Sequence, residues 1–332
     1  MKSGLRQQQE PTMYFIGVST TKSSIMKVFP FWMAELGRQE VRIEGVDLKL
    51  HDDGAAYRHA VEQIKYDPLS LGALVTVHKI SLFENARDLF DFIDPYAEVC
   101  GEVSSISKNG LRLEGHAKDP ITAGISLDSM LGQNYFGRTG GEVLCLGAGG
   151  STTAIMLHFA RKPDAGDRPR RIVIVNRSIN RLEKLRAMVA GLGTPIGVEY
   201  HCQTDPREND RLMAELRPGS LVINATGMGK DLPGSPITNN GAFPVNGIAW
   251  ELNYRGELEF LHQALARRKA RGVLVEDGWV YFLHGWTQVI AQVLKLDIGA
   301  HAFDRLAEIA AKICVPALPP RDPRRQPEVL PA

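Results

Sequence analysis

Residues 143–154 read VLCLGAGGSTTA, and this passage constrains the fold more than any other in the chain. An apolar run ends at Leu146, glycines follow at Gly147, Gly149 and Gly150, and a segment of helical apolar spacing begins at Ser151. Gly147 permits a tight turn, Gly149 allows a close approach of backbone, and a helix starting here offers unpaired N–H groups and the positive end of its dipole. Strand, glycine loop and helix in that order predict a dinucleotide pyrophosphate site in a βαβ unit. Thr152 stands where the usual fingerprint has its third glycine, so the loop takes the form GxGGxxxA over Gly147–Ala154.

The next apolar run, RIVIV, ends in Asn176-Arg177-Ser178, where an NAD-specific domain carries Asp or Glu for the ribose hydroxyls. No acid is present. Arg177 can stack on adenine and pair with a 2′-phosphate, Arg181 lies one helical turn further on, and Ser178 can donate a hydrogen bond. These residues favour NADP(H). The spacing from Gly149 exceeds the usual roughly 20 residues, and the stretch RKPDAGDRPR before the strand reads as the surface insertion that lengthens it.

Apolar runs bounded by turn residues alternate with helical segments along most of the chain, which predicts an α/β protein with mostly parallel sheets. A first set has strands at Tyr14–Val18, Val41–Leu48 and Gly72–Val77, with helices at Ile25–Leu36, Ala55–Lys65 and Leu82–Phe92. A further helix starts at Pro120, suited to a first-turn position. The second set has strands at Glu142–Leu146, Arg171–Val175, Leu221–Asn224 and Gly247–Leu252, with helices from Ser151 and Ser178. Late helices are expected at Gly278–Leu296 and His301–Ile313. The organisation expected is a substrate domain over 12–130, completed by 279–314, and a Rossmann NADP-binding domain over 131–278. The glycine-rich stretch Leu131–Gly141 is the candidate hinge. The last 18 residues, with six prolines and three arginines, read as a flexible tail.

Composition removes other classes. Thirty-nine Lys and Arg against 38 Asp and Glu leave a net charge of +1, so no global field draws the chain to nucleic acid or anionic lipid. Neither an apolar run of about 18 residues nor a signal-peptide core occurs, and a cytoplasmic protein is expected. Cys100, Cys145, Cys202 and Cys314 are scattered, without zinc-site spacing, and read as reduced, buried thiols; no metal is expected. The partner expected is a small-molecule substrate, with a homodimer left open.

From about Phe15 to Leu296 the chain resembles the shikimate dehydrogenase family. Gly147–Gly150 and Asn176–Arg181 are similar to its NADP loop and NRTxxR clamp, Val222–Gly229 to its VINATSxG segment, and Glu251–Tyr254 to its DxxY strand end. Val75–Lys79 resembles NVTxPxK, with a one-residue deletion and no proline, and Leu113–Pro120 resembles LxGxNTDG. The resemblance implies two α/β domains with the active site in the cleft between them, and catalysis by Lys79 and Asp119. It implies substrate contacts from Ser23, Thr76 and Tyr254. Cofactor contacts would come from Gly147, Gly149, Gly150, Asn176, Arg177, Ser178, Arg181, Thr226 and Gly278. A lysine beside a carboxylate can take or return the hydroxyl proton while hydride passes to the nicotinamide.

The departures fall on the substrate side. The family's second SxSP serine is Ile25 here, its NVT asparagine Leu74, its VNT asparagine Ser104, its NTDG asparagine Ala117, and its late-helix glutamine Gly285. A site built on such groups discriminates strongly by them, so shikimate itself is not the expected substrate. Lys22, His78, His116 and Lys118 are new polar groups that a more anionic ligand could use, and one of Trp250, Trp279, Tyr281 and Trp286 is expected to line the pocket. The expected function is NADP(H)-dependent oxidoreduction of a secondary alcohol on a cyclic polyol or hydroxy acid. The alternatives are a non-catalytic NADP(H) sensor and an enzyme resembling methylene-tetrahydrofolate dehydrogenase.

Overall fold

A computed structural model describes residues 6–50, 52–230 and 232–318. They form two compact units, one of residues up to Asp119 with Gly285–Val315, the other of Pro120–His284 with the residues from Pro316 onward. The first unit begins with β1 (Thr12–Gly17), α1 (Ile25–Glu35), β2 (Arg42–Asp47), α2 (Gly54–Tyr66) and β3 (Ser70–Val75). It continues through α3 (Lys79–Ala86), β4 (Phe92–Ile93), α4 (Pro95–Cys100), β5 (Ser105–Asn109) and β6 (Arg112–His116). Its sheet runs β2-β1-β3-β5-β6-β4, with β1 parallel to β2 and β3, β5 antiparallel to β3 and β6, and β4 parallel to β6. Two reversals leave β6 pointing the same way as β1 and β3. The segments that follow β1, β3 and β6 therefore gather at one end of the sheet, the carboxyl end where open α/β sheets bind ligands.

The second unit starts with α5 (Asp119–Leu131, whose first residue belongs to the first unit), α6 (Tyr135–Thr139), β7 (Val143–Leu146), α7 (Gly150–Arg161), β8 (Arg171–Asn176) and α8 (Ile179–Gly191). Then come β9 (Gly197–Cys202), α9 (Pro206–Ala214), β10 (Leu221–Asn224), β11 (Ile248–Glu251), α10 (Glu259–Arg271) and β12 (Leu274–Glu276). All six strands are parallel in the order β12-β11-β10-β7-β8-β9, which is the doubly wound Rossmann order. Helices cover both faces, so the strands are apolar on both. Val143, Cys145, Ile172, Ile174, Leu221 and Ile223 face one core and Leu144, Leu146, Val173, Val175, Val222 and Ala249 the other.

Helix α11 (Trp279–Leu294) crosses the division between the units at Gly285, and α12 (Ala300–Ile313) belongs to the first. There α12 packs on α1: the Trp32 indole donates to the Leu306 carbonyl at 2.8 Å and Arg305 pairs with Glu35 at 2.6 Å. The division after Asp119 lies upstream of the glycine-rich stretch Leu131–Gly141, much of which is taken up by α6. The elements expected from the sequence all appear, and the helix expected over Leu82–Phe92 starts earlier, at Lys79, and breaks at Arg87. The thiols need correction: Cys145 is buried and Cys100 and Cys314 half-buried, but Cys202 is exposed, because β9 is an edge strand. Among the described residues no helix is long and apolar enough to cross a membrane. Most of the proline-rich tail, residues 319–332, lies outside the described residues.

Candidate active site

In the first unit three segments bring Ser23, Thr76, Lys79 and Asp119 to the carboxyl end of the sheet. After β1 the chain turns through a short 3-10 helix at Thr20–Lys22 that is tied down by Asp47, whose Oδ1 accepts from the Thr20 N–H at 2.8 Å and its hydroxyl at 2.6 Å. Ser23 closes this turn and is 7% exposed. After β3, Thr76 donates its N–H to the Ile16 carbonyl at 3.0 Å, and its hydroxyl lies 3.1 Å from where a Cβ on Gly17 would stand. Lys79 opens α3 and Asp119 opens α5. An ammonium at a helix start meets like partial charge, so a carboxylate partner is needed there. Asp119 provides it: Lys79 Nζ donates to Asp119 Oδ2. The side chains keep 18% and 15% of their exposure, sheltered enough to strengthen the pair yet open to a ligand.

Around this pair the residues that depart from the family pattern do not face a ligand as amides would. Ile25 is wholly buried in the first unit, as is Ala117, and Ser104 accepts the Lys118 N–H at 2.7 Å through its Oγ. Of the new polar groups that a more anionic ligand could use, most have partners within the first unit. His78 is 2% exposed, with Nε2 3.0 Å from the Leu48 carbonyl and Nδ1 3.4 Å from the Tyr57 hydroxyl. His116 lies between Asp94 at 3.3 Å and Ser107 at 3.2 Å, and Lys118 donates to Gln292 at 2.7 Å. Burial holds the Lys118 ammonium below the ordinary lysine range. Lys22 alone of the four is exposed. Trp286 packs edge-on against Phe15 at 5.0 Å.

The second unit carries the residues expected to hold a nucleotide. Gly147 has φ +115°, and a Cβ there would sit 2.6 Å from the Ala225 carbonyl oxygen, so only glycine lets the loops after β7 and β10 touch. These neighbouring strands flank the point where the strand order reverses. At Gly149, by contrast, a Cβ would meet nothing within 4 Å. Gly149 caps α7 without a side-chain bond, and the first turn beginning at Gly150 carries no acid. The departure at Thr152 has a structural reason: the side chain is fully buried and its hydroxyl donates to the Gly147 carbonyl at 2.8 Å, fixing the loop from within.

Asn176 ends β8, and its amide contacts the Ser178 carbonyl at 3.4 Å, shaping the turn into α8. Ser178 caps that helix without using its hydroxyl, while Arg177 and Arg181 are exposed and form no ion pair among the described residues. Open glycine loop, acid-free helix start and two unengaged guanidinium groups fit a phosphorylated dinucleotide.

Thr226 and Gly278 are each held by close contacts within the second unit. The Thr226 hydroxyl donates to Asn224 Oδ1 at 2.6 Å and accepts from the Met228 N–H at 3.2 Å, and a Cβ on Gly278 would fall 2.1 Å from the Leu252 carbonyl. Tyr254 stacks on Phe282 at 4.2 Å beside Trp279. Trp250 is 1% exposed and packs edge-on against Tyr281.

Two features escaped the sequence reading. Strand register sets Asn224 opposite Glu251, whose carboxylate accepts from Asn224 Nδ2 at 2.6 Å and from the Asn253 N–H and Nδ2 at 2.8 and 2.7 Å. Burial pushes that carboxyl up to about 7 against these hydrogen bonds. Glu102 is 1% exposed, and the charges of Lys79 and Asp119 act on it; an acid inside the short run CGEVSSI was the available signal.

No family model matches the chain. A shikimate dehydrogenase (NADP(+)) of Symbiobacterium thermophilum is 31% identical over 218 residues, which is 64% of this chain and 67% of the relative. Another, from Methylobacterium radiotolerans, is 27% identical over 278 residues, 82% of this chain and 88% of that one. Among solved structures, quinate dehydrogenase from Corynebacterium glutamicum in complex with NAD superposes with a TM-score of 0.67 at 17% identity, covering 91% of this chain and 99% of its own, a likeness of fold. With two thirds of a relative matched at 31% identity and the same two-domain α/β architecture, the chain belongs to the shikimate dehydrogenase family.

Proposed function

We propose that the protein is an NADP(H)-dependent dehydrogenase that interconverts a secondary alcohol and its ketone on a small cyclic polyol or hydroxy acid other than shikimate. The observation that carries this reading is the sheltered Lys79–Asp119 pair at the carboxyl end of the first sheet. Bound nicotinamide would accept or donate the hydride. The other half of the reaction is a proton, and the residues for it lie in the first unit. Lys79 Nζ takes the proton from the substrate hydroxyl in oxidation and returns it to the carbonyl oxygen in reduction, while the Asp119 carboxylate orients the amine and stabilises the ammonium formed. Ser23 and Thr76 hold polar groups of the substrate beside that pair. Gly149, Gly150, Asn176, Arg177, Ser178 and Arg181 bind the nucleotide, with selectivity for NADP(H) residing in the two arginines.

Ile25, Leu74, Ala117 and Gly285 in place of polar side chains remove hydrogen-bonding groups that a shikimate site needs, which supports a different substrate. The test is a Lys79→Met variant followed by nicotinamide absorbance. We expect turnover to fall by about 10²–10⁴-fold with NADPH affinity unchanged within about twofold. A variant that turns over at the wild-type rate removes the mechanism.

A further inference from the structure

Strand order divides the nucleotide crevice of the second unit. The residues suited to a 2′-phosphate, 176–181, follow β8 on one side of β7, and β10 and β11 lie on the other. A dinucleotide whose pyrophosphate sits at the start of α7 would therefore lay its adenosine half over β8 and its nicotinamide half over β10 and β11. The loop after β10, residues 225–229, is built against the glycine turn. Ala225 donates its N–H to the Leu146 carbonyl at 2.8 Å, and its own carbonyl oxygen lies 2.6 Å from where a Cβ on Gly147 would stand.

The side chains that hold this loop are anchored on one acid. Glu251, at the end of β11, is fully buried, and strand register sets it opposite Asn224 at the end of β10, also fully buried. Three N–H donors converge on its carboxylate, Asn224 Nδ2 at 2.6 Å and the Asn253 N–H and Nδ2 at 2.8 and 2.7 Å. An ionised carboxylate only accepts, so it fixes which way both amides face. Asn224 turns its Oδ1 to the loop, where it accepts from the Thr226 N–H at 3.1 Å and from the Thr226 hydroxyl at 2.6 Å. Asn253 turns its Nδ2 the same way and donates to the Thr226 and Met228 carbonyls at 3.2 and 3.1 Å. The Thr226 hydroxyl accepts from the Met228 N–H at 3.2 Å, so the backbone N–H and carbonyl of both residues are held. Between them Gly227 is half-buried and opens on free space: a Cβ there would meet nothing within 4 Å, as at Gly149.

We propose that Glu251 is a positioning residue for the nicotinamide half of the cofactor, acting through Asn224 and Asn253 on the loop 225–229. The inference rests on the reading of the second unit as an NADP(H)-binding domain. An apolar residue at 251 would fill the same space, yet it would leave buried amide donors without an acceptor and the loop without a fixed shape. Glutamine keeps the volume but not the pattern. Its NH2 would face Asn224 Nδ2, donor against donor, and a flipped Asn224 would turn its own NH2 on the Thr226 N–H. Either arrangement breaks the connection between residue 251 and the loop.

Two probes separate the halves of the cofactor: NADPH, followed by its own fluorescence, and adenosine 2′,5′-bisphosphate, followed by calorimetry. Both are titrated into the full chain at about pH 8, above the value of about 7 to which burial pushes Glu251, so that the carboxylate is charged. We expect Glu251→Gln to weaken NADPH by about tenfold or more and to leave the affinity for adenosine 2′,5′-bisphosphate within about twofold of wild type. At saturation the emission shift that marks a nicotinamide ring held away from water should shrink in the variant.

Equal loss of both ligands is the mark of a merely structural role and overturns the inference, as does an NADPH affinity and emission identical to wild type. If Glu251→Gln folds poorly, Asn253→Ala keeps the Asn224–Glu251 bond and should give the same split between the two probes. Wild-type NADPH binding in that variant overturns the inference alone. A wild-type chain that binds neither probe overturns the NADP(H) reading and the inference together.

Discussion

Replacing Arg177 by alanine should weaken NADPH binding by about 10- to 150-fold more than it weakens NADH binding. Arg177 follows directly on β8, is exposed, and has no ion-pair partner among the described residues, so its removal breaks nothing that holds the unit together. Folding stability should stay within about 0.5 kcal/mol, as for other surface changes. What is lost is a charge-assisted hydrogen bond from the guanidinium to a phosphate, worth about 1.5–3 kcal/mol. At about 1.4 kcal/mol per tenfold in affinity, that gives the range stated. NADH has no 2′-phosphate for the arginine to meet. The assay is a fluorescence titration of NADPH and of NADH against wild type and Arg177→Ala at one fixed, low salt concentration, because exposed charges are screened at higher ionic strength. Equal losses for the two nucleotides, or no loss for NADPH, would refute the assignment of this residue. Arg181→Ala should act in the same sense, and the double variant should bring the two affinities together.

Other outcomes follow from the same geometry. Gly149→Val should fold normally, with a melting temperature within about 3 °C of wild type, yet weaken NADPH by tenfold or more, because a side chain there enters open space where the pyrophosphate would lie. Gly147→Ala should instead cost stability, about 1–3 kcal/mol in a thermal or urea melt, since φ +115° and the Ala225 carbonyl leave no room for a Cβ. Glu251 sets a pH dependence. Its folded value near 7 exceeds the ordinary 4.5, so the native state holds more protons between these limits and stability contributed by this group is lost as pH rises through them. Across pH 4.5 to 8 the difference in unfolding free energy between wild type and Glu251→Gln should change by about 3 kcal/mol, and parallel curves would contradict the assigned burial cost.

The second unit was legible because its signals are local. The glycine loop, the acid-free strand end at Asn176 and the apolar strands RIVIV and LVIN each occupy a few consecutive residues, and the Rossmann order follows from their succession. Thr152 looked like a blemish in the fingerprint and became intelligible only when its hydroxyl was seen to bond the Gly147 carbonyl. In the first unit the antiparallel β5–β6 hairpin was not anticipated, since Ser105–Asn109 and Arg112–His116 are short and half polar, and their identity as strands comes from pairing with β3 and with each other. Lys79 and Asp119 were found through resemblance; forty positions apart, they meet through topology that no spacing rule encodes. Whether His78 and His116 serve a ligand or the fold could not be read from sequence, because a histidine's partners are invisible there: the Leu48 carbonyl, Tyr57, Asp94 and Ser107 come from other elements. Glu102 and the Asn224–Glu251–Asn253 network went unseen for the same reason, burial and strand register being properties of the folded chain.

The central claim is that this chain couples NADP(H) to a secondary alcohol through Lys79. Nicotinamide absorbance with NADP+ and with NAD+, against shikimate, quinate, aminoshikimate and a set of cyclitols, tests it most directly. The account expects NADP+-linked turnover of a ring alcohol other than shikimate, abolished in Lys79→Met. Absence of turnover with every compound, under conditions where NADPH binds tightly, would contradict it.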